Sequence, residues 1–150
     1  EGGMMTRPIG SKGFTVGELL LVFAIVLVVG GFLTPLIRFN HIRMQRIMCA
    51  NNLREVGLAM YIYAREHEGK FPPDMKTLYN EQYLADEKLM DCPASKKTGT
   101  LKDPEYIYTP GLSVRAESLK TLMRDDPGNH PSGGGNVLYV NGTVAWAEAD

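Results

Sequence analysis

Apolar positions follow three patterns along the chain: one unbroken run, one helical stripe and one alternation. The run covers residues 14–37, which carry a single charge, Glu18, and none from Leu19 to Ile37. As a helix these residues span about 36 Å, enough to cross a bilayer. An ordinary secretory signal has a shorter apolar core followed by a small-residue cleavage site. Here no such site follows, and Leu36-Ile37-Arg38 leads straight into a helical pattern. Pro35 and the pair Gly30-Gly31 lie inside the run. A proline removes one backbone bond and clashes with the preceding turn, so a bend is expected there.

The stripe comes next. Cys49, Leu53, Val56, Met60 and Ala64 recur at helical spacing, with Asn51, Arg54, Glu55, Arg65 and Glu66 opposite. This predicts that the helix continues to about His67, with Gly69 as its stop and Pro72-Pro73 beyond. Leu58 and Ile62 fall among the polar positions. Two readings stand for them: scattered surface hydrophobes, or a second packing face toward another subunit.

Weaker signals follow. Asp74 is placed to cap a short helix through about Tyr83, with Leu78 and Tyr83 turned inward. Residues 92–104 read as loop. Tyr106-Ile107-Tyr108 reads as a strand ended by Pro110-Gly111, and residues 118–123 as another. The alternation is at the C-terminus: residues 136–140, then Asn141-Gly142, then residues 143–146 predict a β-hairpin with a type I′ turn. That register pairs Val140 with Thr143 and Tyr139 with Val144. It puts Val137, Tyr139, Val144 and Trp146 on one face, packed on the long helix. The expected fold is α+β: a long N-terminal helix, membrane-spanning in its first half, on a small antiparallel sheet.

Charge changes this picture little. The chain has 150 residues, 16 Lys+Arg and 17 Asp+Glu, for a net charge of −1. Arg38, Arg43, Arg46 and Arg54 follow the apolar run, a surface suited to lipid head groups. From Glu55 onward 15 acids face 10 bases, a net of −5, so no nucleic-acid partner is expected. Basic residues flank the run on both sides, Arg7 and Lys12 before it and Arg38, Arg43 and Arg46 after it, so they do not set its orientation. Residues 1–13 carry no core-forming pattern, and Met4 or Met5 is the expected first residue.

The candidate chemistry is sparse. Cys49 and Cys92 are the two cysteines, with no Cys-x-x-Cys pair and no zinc framework of the usual spacing. They could pair outside the cytoplasm or remain two buried thiols. Asp125, Asp126, His130 and Asn141 could converge around the Gly-rich stretch 133–135, as calcium ligands or as a turn network. No EF-hand-like spacing is present, so no metal or other cofactor is expected, and calcium is the weaker alternative. Gly133-Gly134-Gly135 reads as flexible loop and not as a phosphate cradle, because no helix pattern follows it. Gly-x-Ser-x-Gly, P-loop and His-Glu-x-x-His motifs are absent, and the chain is not read as an enzyme.

Gly13-Phe14-Thr15-Val16-Gly17-Glu18 ahead of a long apolar run resembles the prepilin signal of type IV pilins and type II secretion pseudopilins. The resemblance implies cleavage by a prepilin peptidase between Gly13 and Phe14 and methylation of the new Phe14 amine. Glu18 matches the family's acidic residue at the fifth mature position, and Pro35 a helix-bending proline common there. A lone carboxylate at an apolar span is a functional flag in its own right. Glu18 either neutralises a subunit's amine during assembly or sits at head-group level. Further on, the helix from Cys49 to Ala59, Phe71-Pro72-Pro73, Cys92-Pro93, Tyr108-Thr109-Pro110-Gly111 and residues 129–142 resemble pilin-like proteins with a C-terminal His-x9-Asp-Gly region. Asn141 stands where that group usually has Asp, and ten residues separate it from His130, so the turn-forming role carries over and the anionic one does not.

These readings divide the chain into a leader (1–13), a transmembrane and assembly segment (14–37) and an extracytoplasmic head (38–150). The expected product is a single-pass inner-membrane protein, its N-terminus cytoplasmic before cleavage and its head in the periplasm or outside the cell. Its expected partners are other pilin or pseudopilin subunits, the prepilin peptidase and the membrane. The expected function is structural: a type II secretion-type pseudopilin that polymerises through its N-terminal helix. The alternative is a minor pilin or membrane-anchored protein that binds a surface, DNA or an exported substrate.

Overall fold

A computed structural model describes residues 13, 15–131 and 133–148. The chain is α+β. Helix α1 (Val16–Glu66) is followed by α2 (Met75–Asn80), a 3₁₀ helix (Glu87–Met90) and strands β1 (Tyr106–Tyr108), β2 (Thr121–Asp125), β3 (Gly134–Tyr139) and β4 (Val144–Glu148). The strands form one antiparallel sheet in sequence order. The chain divides into two compact units, the first ending at Phe39 and the second beginning at Asn40. Pro35 lies inside α1, in the first unit.

In the second unit the predicted stripe is the core. Cys49, Leu53, Val56, Met60 and Ala64 are fully buried and meet Leu78, Met90, Tyr106, Leu122, Met123 and Leu138. Leu58 and Ile62 remain exposed. Helix and sheet approach closely at Gly57, where an added Cβ would lie 3.1 Å from both Leu138 methyl carbons. The helix ends in a Schellman arrangement: the Gly69 N–H donates to the Ala64 carbonyl (2.7 Å), with Glu68 (φ 56°) and Gly69 (φ 81°) both left-handed. Asp74 caps α2 through the Thr77 N–H (2.8 Å). That helix stops at Asn80, and Tyr83 lies beyond it, half-buried against the core.

Three expectations are corrected. The strand expected at residues 118–123 begins at Thr121, because the Ser118 and Lys120 carbonyls accept from the Asn141 and Val140 N–H groups at the hairpin tip. Gly134 and Gly135 belong to β3 and not to a flexible loop. The hairpin register differs by one residue: Leu138 pairs with Val144 and Asn136 with Trp146. Gly142 (φ 81°) alone is left-handed there, and its N–H donates to the Tyr139 carbonyl (2.9 Å). This is a type I turn closed by a left-handed glycine, not a type I′ turn. Val140 is thereby drawn into the turn and buried, with the Tyr61 hydroxyl donating to its carbonyl. The helix-facing side carries Asn136, Leu138, Val144 and Trp146 in place of the expected Val137 and Tyr139.

Candidate functional site

Two regions carry the residues singled out in the sequence. The first is the start of α1. Here the described side chains of every large apolar residue from Val16 to Met48 are exposed, Phe32 at 73%. Mean hydropathy over the best window reaches 2.7, and the helix is long and apolar enough to cross a membrane. Gly13 precedes the helix in an exposed position, whereas Phe14 and residues 1–12 lie outside the described residues. Glu18 is engaged locally. Its Oε2 accepts from the Thr15 N–H (2.8 Å) and the Thr15 hydroxyl (3.0 Å), and the Glu18 N–H donates to Thr15 Oγ1 (3.3 Å). This is a reciprocal capping box. Its signal, Thr-x-x-Glu before an apolar run, is present in the sequence.

The second region is a buried polar cluster where α1 meets the sheet and the loops beside it. Cys49 on α1 and Cys92, just after the 3₁₀ helix, are joined by a disulfide with Cα atoms 5.4 Å apart. Asp125, the last residue of β2, and His130, in the β2–β3 connection, are in hydrogen-bond contact, Nε2 to Oδ2, at 2.8 Å. The same Oδ2 accepts from the Asn136 N–H (2.6 Å) and from Asn136 Nδ2 (2.9 Å), and Nδ2 also reaches the Arg46 carbonyl of α1 (3.2 Å). His130 Nε2 is 3.7 Å from Cys92 Sγ. Cys49, Cys92, Asp125 and His130 are each 4% exposed or less, and one ligand-capable atom from each lies within 4.8 Å of the others. Asp125 Oδ1 is buried and has no hydrogen-bond partner among the described residues.

The surroundings hold this cluster in place. The Trp146 ring meets His130 edge-on at 5.1 Å, and the Arg46 guanidinium lies 3.5 Å from the Trp146 ring centre. Gly135 lets β3 close on Asp125: an added Cβ would lie 2.7 Å from the Asp125 Cβ. A second buried acid, Glu105, accepts from the Cys92 N–H (3.1 Å) and the Ser95 hydroxyl, while Asn129 Nδ2 donates to the Glu105 carbonyl (2.7 Å). Glu105 and Asn129 thus bind the Cys92 segment to the β2–β3 connection. Neither was singled out in the sequence, because polar residues beside Pro and Gly resemble ordinary loop.

Of the four residues that could converge around the glycines, two do so. Asp125 and His130 meet. Asp126 is exposed and accepts from the Gly128 N–H (2.9 Å) in a local turn. Asn141 sits at the far end of β3, accepting from the Thr143 N–H (3.0 Å) and hydroxyl (2.6 Å). The cysteines supply the other two members. Desolvation pushes the Tyr106 and Tyr108 hydroxyls well above the ordinary tyrosine range, so both stay neutral donors; the Tyr108 hydroxyl donates to the Pro72 carbonyl (2.6 Å). No family model, no curated protein and no solved structure matches this chain.

Proposed function

We propose that this chain is a prepilin-type structural subunit, a pseudopilin of a type II secretion-like machine. The observation that carries this reading is the uncovered apolar helix of α1, headed by Gly13-Phe14-Thr15-Val16-Gly17-Glu18. A solvent-exposed helix of this composition needs a lipid or protein surround. A bilayer supplies it before assembly and neighbouring helices supply it afterwards. In this reading a prepilin peptidase cuts the Gly13–Phe14 bond and the Phe14 amine is methylated. In the uncut chain Glu18 accepts from the Thr15 N–H and hydroxyl. Once the amine is free, the carboxylate is the counter-charge for the amine of a neighbouring subunit, which removes the cost of two isolated charges in an apolar bundle. The Cys49–Cys92 disulfide supports placing the head outside the reducing cytoplasm, with the leader inside.

The test is co-expression of the full chain with a prepilin peptidase, followed by intact-mass measurement and N-terminal sequencing. The expected product begins at Phe14 and is heavier by one methylene. Glu18→Ala is expected to be processed and yet fail to assemble, read by shear-fraction yield. An uncut chain overturns the assembly mechanism and leaves a single-span anchored binding protein as the better reading.

A further inference from the structure

We propose that Cys49, Cys92, His130 and Asp125 form a zinc site when the disulfide is reduced. The four come from distant parts of the sequence: α1, the segment after the 3₁₀ helix, the end of β2 and the β2–β3 connection. They present two sulfurs, one imidazole nitrogen and one carboxylate oxygen within 4.8 Å of one another, all out of water. Two soft thiolates with an imidazole and one carboxylate oxygen suit four-coordinate zinc. Calcium and magnesium demand shells of oxygen ligands, which a single carboxylate does not provide.

The hydrogen bonds already divide the work as a metal centre does. Asn136 holds Asp125 Oδ2 through its N–H and Nδ2, while Oδ1 has no partner among the described residues. A buried carboxylate oxygen without a donor is costly, and a cation relieves that cost. Asn136 would then orient the carboxylate from outside the coordination shell. His130 Nε2, between Asp125 Oδ2 at 2.8 Å and Cys92 Sγ at 3.7 Å, is the nitrogen that faces the sulfurs.

A phosphine supplies two electrons and the S–S bond breaks, with one water giving its oxygen to the phosphine oxide and its two protons to the thiols; a dithiol supplies both electrons and both protons and closes to its own disulfide. Zinc binding then releases both thiol protons, and any proton on His130 Nε2, to solvent. Zinc with two thiolates and one carboxylate carries a net single negative charge. The Arg46 guanidinium lies over the Trp146 ring that abuts His130. Disulfide and zinc are thus alternative clamps on one joint, both fastening the Cys92 segment to α1.

The test uses the full chain in detergent micelles, reduced with a phosphine under anaerobic conditions, with zinc alone as the probe. After desalting, metal analysis is expected to find one zinc per reduced chain and less than a tenth of that in the oxidised chain. Cobalt substitution should give sulfur-to-cobalt charge-transfer absorption and the strong visible bands of a tetrahedral site. His130→Gln and Asp125→Asn, each checked for folding in the oxidised form by near-UV circular dichroism, should weaken zinc at least tenfold in chelator competition. If reduction unfolds the head, zinc is expected to restore the near-UV signal. A reduced chain that neither retains zinc nor refolds with it overturns the proposal. So does zinc retained equally by Cys49→Ser and His130→Gln, which would mark an adventitious metal.

Discussion

Asp74 shows how much one side chain contributes where no core residue is involved. It accepts from the Thr77 N–H and hydroxyl at the start of α2, and those bonds, the N–H first, hold its carboxyl below the ordinary value of 3.8. The charged form is therefore favoured in the folded state. The stabilisation is complete above the ordinary carboxyl range and is lost as pH falls through the lowered folded value. Asp74→Ala is expected to cost about 1 kcal/mol at neutral pH, the usual worth of an N-cap. Exposure and screening keep the ionic part at the low end of that figure. Urea titrations of both proteins from pH 7 down to pH ~2.5 should show the two stabilities converging on the acid side. A constant difference across that range would mean that Asp74 acts through packing or backbone entropy instead.

At the scale of elements, legibility tracked the locality of the signal. The α1 stripe was readable because helical spacing repeats over four turns, and all five of its residues are fully buried. The short strand Tyr106–Tyr108 was readable from aromatic and β-branched content between loop residues. The hairpin was readable as a hairpin, but its register was not. Asn-Gly fits both a type I′ turn and a type I turn with a left-handed glycine. The choice depends on where buried Val140 and the Tyr61 hydroxyl meet, a contact 79 residues apart. The Cys49–Cys92–Asp125–His130 cluster was legible only in part for the same reason: Asp125 and His130 are close in sequence, whereas the cysteines arrive through tertiary packing. Gly57 is a further case. On an amphipathic helix it reads as a weak position, but it is where Leu138 of β3 touches α1. Gly57→Val is expected to lower head stability by about 1–3 kcal/mol through overpacking. Leu138→Ala in the same chain should return part of that loss, giving a coupling term in a double-mutant cycle measured by urea unfolding. Additive losses would show that the two side chains do not compete for one space.

Across the whole molecule, the core and the apolar helix run divide between the two units. Every member of the hydrophobic core cluster, from Cys49 to Val140, and every group of the buried polar cluster lies beyond Asn40. The described residues before it bury no large apolar side chain. Residues 40–150 are therefore expected to fold and stay soluble without residues 1–39, whereas the full chain requires detergent or lipid. The check is a cooperative urea transition and a near-UV spectrum for the fragment that match those of the full chain in micelles. A fragment without a cooperative transition would mean that the head depends on the N-terminal segment. The same fragment isolates the clamp between helix and loop. Its disulfide closes a loop across 43 positions, so reduction in the presence of a chelator should lower stability by about 4 kcal/mol in the chain-entropy model. Small domains have total stabilities of only about 5–15 kcal/mol. Reduction without metal should thus bring the head close to its unfolding threshold at room temperature, through the loss of one covalent tie between α1 and the Cys92 segment.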